Sequence, residues 1–117
     1  MNTIQSENYK ICFDTEAHAV EFHGSLRLNG MAEYAPIFDL LNNACALKPA
    51  QPLTLDLRQL EFLNSSGIAM LSKFVIGVRN GEVKLNVLGS TAIPWQGKSL
   101  TNLKRLMPDL TLEIRQP

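Results

Sequence analysis

Two adjacent serines lie in the stretch LNSSGIAML, residues 63–71, between a strand-like run and an apolar helical pattern. Hydroxyl groups at such a point can cap a helix, bind a phosphate, attack a substrate or become phosphorylated. Asn64 and Ser65 are residue types preferred as N-caps, and Gly67 permits close packing in the first helical turn. Helix capping is therefore the expected structural role of the stretch, and it leaves room for a further role.

Catalysis by one of these serines would need a neighbouring base. His18 and His23 are the only histidines, and both are expected at surface positions on or beside one early strand. No G-x-S-x-G elbow surrounds the serines, which disfavours a serine hydrolase. The sequence also lacks the glycine-rich nucleotide-binding motifs and any clustered cysteines and histidines. We therefore predict a protein that is not an enzyme and that has neither a cofactor nor a metal.

Regulatory phosphorylation is the remaining chemical role for the serine pair. Backbone N–H groups at a helix start tolerate a phosphate, so the fold would survive the modification. A phosphate also brings about two negative charges to an exposed turn. A partner that fits the neutral surface would then lose affinity through repulsion and desolvation.

The bulk composition favours one globular domain. The chain has 117 residues, of which 45% are hydrophobic, and eleven basic residues balance eleven acidic ones. A net charge of zero gives no general attraction to nucleic acid or to an acidic membrane. No signal peptide and no apolar run of about 20 residues is visible. We expect a single domain over 1–117, in the cytoplasm, with no nucleic acid or membrane partner.

Periodicity predicts the elements that position the serines. Alternation of apolar and polar residues predicts strands at 9–14, 20–23, 53–58, 83–87 and 110–115. Apolar residues three and four apart predict helices over 31–46, 66–78 and 99–107. Ser99 is the expected N-cap of the last helix. The regular part of the first helix is expected to begin near Ala35, so that Pro36 lies in its first turn, and residues 48–52 are expected to form a loop.

The resulting order is β-β-α-β-α-β-α-β, which predicts a mostly parallel α/β sheet after a first hairpin. Every strand has one apolar and one largely polar face, unlike the strands of a sheet that helices cover on both sides. Three right-handed crossovers that step the same way also place all the helices on one face. We therefore expect a one-sided sheet, which disfavours Rossmann and flavodoxin-like folds.

Residues 53–89, LTLDLRQLEFLNSSGIAMLSKFVIGVRNGEVKLNVLG, resemble the STAS domain of bacterial anti-sigma-factor antagonists. The matching features are the strand with Asp56, the spacer QLEFL, the NSSG turn, the apolar helix and the strand VKLNVLG. The predicted element order agrees with a STAS-like fold over nearly the whole chain. The family's turn usually reads aspartate-serine-serine/threonine-glycine, so Asn64 replaces an aspartate and brings no charge.

The resemblance implies partner switching. In the family, a serine kinase of the histidine-kinase-like ATPase fold phosphorylates the first serine, and a PP2C-type phosphatase removes the phosphate. By position, Ser65 matches the phosphorylated serine, with Ser66 as the second choice. The expected partner-binding residues are Asn64, Ser65, Ser66, Gly67 and Met70. The unphosphorylated protein would bind the kinase and release a sigma factor or another target.

Two alternatives stay open. The chain could be a constitutive interaction or scaffold module in which NSSG only caps a helix, or a small-ligand sensor that uses the loops around NSSG and Trp95. Several residues have two interpretations each. Trp95 either anchors a partner or folds back over the core, Asp56 either holds the switch loop or solvates the sheet, and Met70 either edges a partner groove or packs in the core.

Overall fold

The computed structural model describes residues 2–47, 50–81 and 83–117. The predicted loop at 48–52 is described from Ala50 onward, and Lys48 and Pro49 lie outside the described residues. The strands are β1 (Thr3–Gln5), β2 (Tyr9–Asp14), β3 (Ala19–Leu26), β4 (Leu53–Leu63), β5 (Leu85–Ser90) and β6 (Thr111–Arg115). The helices are α1 (Gly30–Leu47), α2 (Ser65–Arg79) and α3 (Gln96–Leu106).

The six strands form one sheet in the order β1-β2-β3-β4-β5-β6. β1, β2 and β3 pair antiparallel, whereas β3, β4, β5 and β6 run parallel. Each parallel step contains one helix and moves to the next strand in the same direction, which puts all three helices on one face. The mostly parallel, one-sided α/β sheet predicted from the sequence is thus confirmed.

The core lies between this face and the helices. Along β4, Leu53, Leu55 and Leu57 are fully buried, whereas Thr54, Asp56 and Arg58 on the other face are only partly covered. The largest fully buried side chains include Tyr34 and Ile37 from α1, Met70 and Phe74 from α2, and Phe22 from β3. No helix among the described residues is long and apolar enough to cross a membrane.

The first strands differ from the sequence-based expectation. β1 was not predicted, because a three-residue strand is too short to show a period. β3 does not end before Gly24, as the predicted strand at 20–23 did, but continues to Leu26. Gly24 has φ +91°, and a Cβ there would collide with the carbonyl oxygen of Asn8. The glycine therefore marks an irregularity within the strand rather than its end.

Helix boundaries also differ. α1 begins at Gly30, so Pro36 lies inside the helix rather than in its first turn. Proline cannot donate a hydrogen bond to the carbonyl oxygen of Ala32. Pro36 and Ala32 are both exposed, so water can donate to that oxygen instead. α3 begins at Gln96, and its N-cap is Trp95, so the prediction of Ser99 as N-cap was wrong.

His18 is a further correction, since it was expected on the surface and is fully buried. Its Nδ1 lies 3.1 Å from the Pro52 carbonyl oxygen and its Nε2 lies 2.8 Å from that of Ala44. The backbone of His18 has φ +53°, in the left-handed region that few non-glycine residues adopt. The ring thus ties the β2–β3 turn to the end of α1 and to the start of β4.

Candidate functional site

Asn64 connects the end of β4 to the start of α2. Its side-chain oxygen accepts a 2.9 Å hydrogen bond from the backbone N–H of Gly67, which caps the helix as expected. The same oxygen accepts a 2.7 Å hydrogen bond from the hydroxyl of Tyr34 in α1. Burial raises the pKa of Tyr34, so this hydroxyl keeps its proton and stays a donor.

The amide nitrogen of Asn64 has a separate partner. It donates a 2.7 Å hydrogen bond to the carbonyl oxygen of Leu28, in the segment that follows β3. An ionised aspartate cannot make this contact, because both its side-chain oxygens are acceptors. The structure thus gives a physical reason for asparagine at the position where the STAS pattern has aspartate.

Gly67 allows α2 to approach the core closely. A Cβ at this position would overlap the side chain of Leu63 and would lie 2.7 Å from the hydroxyl oxygen of Tyr34. Both neighbours are buried, so neither can move away freely. The glycine of NSSG therefore has the packing role that the sequence suggested.

The two serines have different environments. Ser65 is exposed, and its hydroxyl has no hydrogen-bond partner in the part of the chain that the structure describes. Ser66 is half-buried, and its Oγ accepts a 3.2 Å hydrogen bond from the backbone N–H of Gly30 at the start of α1. A group added to Ser65 would meet solvent, whereas one added to Ser66 would disturb the contact between the two helix starts.

Met70 does not share the surface position of the serines. Its side chain is fully buried, as is that of Phe74 one turn later. Of the two interpretations of Met70, core packing is the one that its burial supports, and Met70 offers no surface to a partner. The turn presents Ser65 to solvent and leaves Asn64 and Ser66 partly covered.

The sequence analysis did not single out Gln96, which braces the end of β4. β4 pairs with β5 only from Leu53 to Asp56, so its later carbonyl groups need other partners. Gln96 is fully buried, and its amide nitrogen donates to the carbonyl oxygens of Leu57 (2.6 Å) and Leu60 (3.1 Å). Its side-chain oxygen accepts a 2.7 Å hydrogen bond from the N–H of Ser90.

Trp95 completes this brace. Its indole N–H lies 3.3 Å from the Leu60 oxygen and 3.1 Å from the Glu61 oxygen, and its ring packs against the core. Trp95 therefore folds back over the core, which is the second of its two predicted interpretations. Together, Trp95 and Gln96 fix the last residues of β4 just before the NSSG turn.

Asp56 lies on the open face of the sheet rather than in the turn. Arg58 donates two side-chain hydrogen bonds to it, of 2.9 and 2.7 Å. These hydrogen bonds lower the pKa of Asp56, and partial burial opposes them. Every side-chain hydrogen bond described for Asp56 comes from Arg58, so its observed role is on the polar face of β4.

The space beside the NSSG turn is too small for a small-ligand site. The crevice between the start of α2 and Trp95, bordered by Leu63 and Ile68, has a cavity volume of about 0 Å³ and cannot hold even a water molecule. Ligand pockets usually have about 300 Å³ or more. A larger groove of about 700 Å³, lined by Arg79 and Lys84 among others, lies where β5 and β6 begin, at the other end of the sheet from the turn.

Comparison with known proteins gives structural matches only. No protein-family model matches the sequence, and no curated protein matches it. The chain matches the crystal structure of the diguanylate cyclase SiaD in complex with its activator SiaC from Pseudomonas aeruginosa, with a TM-score of 0.74, 16% identity and full coverage of both chains. It also matches SiaC of the same organism, with a TM-score of 0.71, 16% identity and full coverage of both chains.

A further structure, that of apo-SiaC, gives a TM-score of 0.71 at 15% identity and covers 98% of this chain and 99% of that one. Identities this low carry information about the fold alone. The six-stranded sheet with three helices on one face is therefore an arrangement that this chain shares with SiaC, and it is compatible with the predicted STAS-like fold.

Proposed function

We propose that this chain is a single-domain, non-enzymatic STAS-type signalling module that switches partners through phosphorylation of Ser65. The unmodified turn, with Asn64, Ser65 and Ser66 at its surface, binds a partner protein. The observation that carries the proposal is the contrast between the serines: Ser65 is exposed and its hydroxyl has no partner among the described residues, whereas Asn64 and Ser66 hold the helix start through hydrogen bonds. Phosphate can therefore be added without breaking the helix start.

The chemistry belongs to the partners. A serine kinase of the histidine-kinase-like ATPase fold joins the γ-phosphorus of ATP to Ser65 Oγ, the bond to the β-phosphate oxygen breaks and ADP leaves. The hydroxyl proton passes to a base on the kinase. A PP2C-type phosphatase hydrolyses the ester with water and restores the hydroxyl. This chain contributes a rigid platform and the acceptor oxygen.

The target partner is proposed from the structural likeness. SiaC is described as the activator of the diguanylate cyclase SiaD, so a signalling enzyme of that class is the target that the comparison supports. The STAS resemblance of residues 53–89 supports a second target class, an anti-sigma factor. In both cases the output is controlled by protein binding, and phosphate on Ser65 ends the contact.

The size of the switch follows from electrostatics. A phosphate adds about 1.5 to 2 negative charges at pH 7 and must lose water when it enters an interface. A penalty of about 1.4 kcal/mol reduces affinity tenfold, and an unpaired charge buried in an interface costs about 2 to 5 kcal/mol. We therefore expect phosphorylation to weaken partner binding at least about tenfold.

The test uses three baits in an extract of the protein's own host: the native protein, Ser65→Glu and Gln51→Glu. Gln51 is exposed just before β4, at the end of the sheet opposite the turn, so its variant controls for the added charge. Mass spectrometry identifies the retained proteins, and formation of cyclic di-GMP from GTP reports cyclase activity in the retained fraction. A partner held by the native protein and the Gln51 variant, and lost with Ser65→Glu, is expected. Equal retention by all three baits would contradict switching and favour a constitutive module.

A further inference from the structure

Residues 26–30 form a strap beside the start of α2. The N–H of Asn64 donates to the Leu26 oxygen at 3.2 Å, the Asn64 amide nitrogen donates to the Leu28 oxygen, and the N–H of Gly30 donates to Ser66 Oγ. This strap, with the sequence LRLNG, contains one charged residue, Arg27. Arg27 therefore lies between the two residues, Leu26 and Leu28, whose carbonyl oxygens bind Asn64.

Arg27 differs from the other arginines in its contacts. Its guanidinium lies over the ring of Phe62, with 4.3 Å between the guanidinium carbon and the ring centroid. Among residues 2–47, 50–81 and 83–117 it makes no hydrogen bond or ion pair. The other four arginines all do: Arg58 with Asp56, Arg79 with the Leu106 oxygen, Arg105 with Asn102 and Arg115 with Glu113.

The sheet register places Arg27 close to Ser65. Ser25 pairs with Phe62 and Leu26 pairs with Leu63, and the next step is the hydrogen bond between Asn64 and Leu26. Arg27 and Ser65 are the residues that directly follow these two bonded residues. The segments that follow β3 and β4 thus leave the sheet at the same level. The long side chain of Arg27 can reach from the first segment to Ser65 in the second.

We propose that Arg27 is the phosphate-binding residue of the switch. This inference rests on the proposed modification of Ser65 and adds its counter-ion. Stacking on Phe62 orders the guanidinium without using any of its N–H donors, so all of these donors are available to a phosphate. An exposed cation–π contact is weaker than a charge-assisted hydrogen bond to phosphate, so Arg27 exchanges the ring for the phosphate.

Acidic side chains on the neighbouring segments increase the benefit of this counter-ion. Glu61 precedes Phe62 and is exposed, and Glu33 reaches back to accept a 3.1 Å hydrogen bond from the N–H of Asn29 in the strap. Both carboxylates repel a phosphate on Ser65. Once Arg27 pairs with the phosphate it also uncovers Phe62, which is 38% exposed already. The partner then meets a surface with changed charge and changed shape.

The experiment uses full-length protein with phosphoserine installed genetically at position 65. Phosphorus NMR follows the second ionisation of the phosphate as the pH is raised. The native background is compared with Arg27→Gln and with the control Arg105→Gln, an exposed arginine on α3. We expect ionisation in the native and Arg105→Gln proteins at a pH lower than in Arg27→Gln by about 0.3 to 1 unit, and a smaller difference in 1 M salt.

A second variant separates stacking from charge. Phe62→Leu keeps Arg27 but removes the ring that competes with the phosphate for its guanidinium, so the phosphate should ionise at the native pH or slightly below it. Thermal unfolding of each variant shows that the fold is kept. Identical titrations for the native protein and Arg27→Gln would overturn the inference. The readout needs neither kinase nor partner, so it can fail while partner switching stands, and it can succeed even if Ser65 proves unmodified in cells.

Discussion

The hydroxyl of Tyr34 in α1 donates a 2.7 Å hydrogen bond to the side-chain oxygen of Asn64, the N-cap of α2. Tyr34 is fully buried, so the turn that carries Ser65 is fastened to the core and not only to its own helix. A partner therefore meets a turn whose shape is set before binding. Such pre-organisation reduces the entropy lost when an interface forms.

Replacement of Asn64 tests this fastening. Asn64→Asp keeps an oxygen for the Gly67 N–H but loses the donor to the Leu28 oxygen, so we expect a loss of about 1 to 2 kcal/mol in the free energy of unfolding. Asn64→Ala also loses the cap and leaves the Tyr34 hydroxyl unpaired, and should cost more. Equilibrium unfolding in urea measures both. An Asn64→Asp protein as stable as the native one would show that the Leu28 contact contributes nothing.

The two glycines of α2 provide a matched pair. Gly67→Ala puts a Cβ against Leu63 and Tyr34, and we expect it to destabilise the protein by about 1 to 3 kcal/mol. A Cβ on Gly77 meets nothing within 4 Å, so Gly77→Ala should stabilise the helix by about 0.5 to 1 kcal/mol. Thermal unfolding should therefore move in opposite directions for the two variants. A shift of the same sign in both would refute the packing role of Gly67.

Gln96 is expected to be important for stability although it is polar. Gln96→Leu keeps a similar volume but leaves the Leu57 oxygen and the Ser90 N–H without partners, with an expected loss of about 3 kcal/mol. Gln59→Leu is the control, at an exposed position of β4, the strand that Gln96 contacts. It should change stability by less than about 0.5 kcal/mol. Urea unfolding followed by Trp95 fluorescence compares them. Similar midpoints for both variants would rule out the proposed brace.

Asp56 and Arg58 should give a weak dependence of stability on acid. The folded protein holds the pKa of Asp56 below its ordinary value of 3.8. The stabilisation is thus complete above that pH and is lost as the pH falls through the lower, folded-state pKa. Arg58 is 39% exposed, so the contribution should stay below about 1 kcal/mol. Asp56→Asn should remove it, seen as a smaller loss of stability as the pH is lowered from about 5 to about 2. An unchanged acid profile in the variant would contradict the ion pair's role.

The strands and helices that pack one apolar face against the core could be predicted from the sequence. The five strands that were expected all exist, because alternating apolar side chains mark the side of each strand that faces the helices. The one-sided sheet followed from the polar faces of the same strands. β1 could not be predicted because its three residues include only one apolar side chain, Ile4, and so show no alternation. Its stability comes from pairing with β2.

The parts of the site that depend on long-range contacts could not be predicted. The capping role of Asn64 is local and was expected, whereas its contacts with Leu28 and Tyr34 join residues more than 29 positions apart. The brace by Gln96 arises because β4 continues beyond its pairing with β5, which no pattern in either strand indicates. The burial of Met70 follows from where α2 packs, and periodicity alone left it open.

Phosphopeptide mass spectrometry on the protein, purified from its own host without overexpression and from several growth conditions, tests the central claim most directly. The account predicts a phosphate on Ser65 in a fraction of the molecules, with Ser66 unmodified because its hydroxyl is tied to Gly30. A Ser66→Ala variant should still carry the phosphate, and Ser65→Ala should not. A peptide that stays unmodified at Ser65 in every condition, or that carries its phosphate on Ser66, would contradict the account and leave NSSG as the start of a helix in a constitutive binding module.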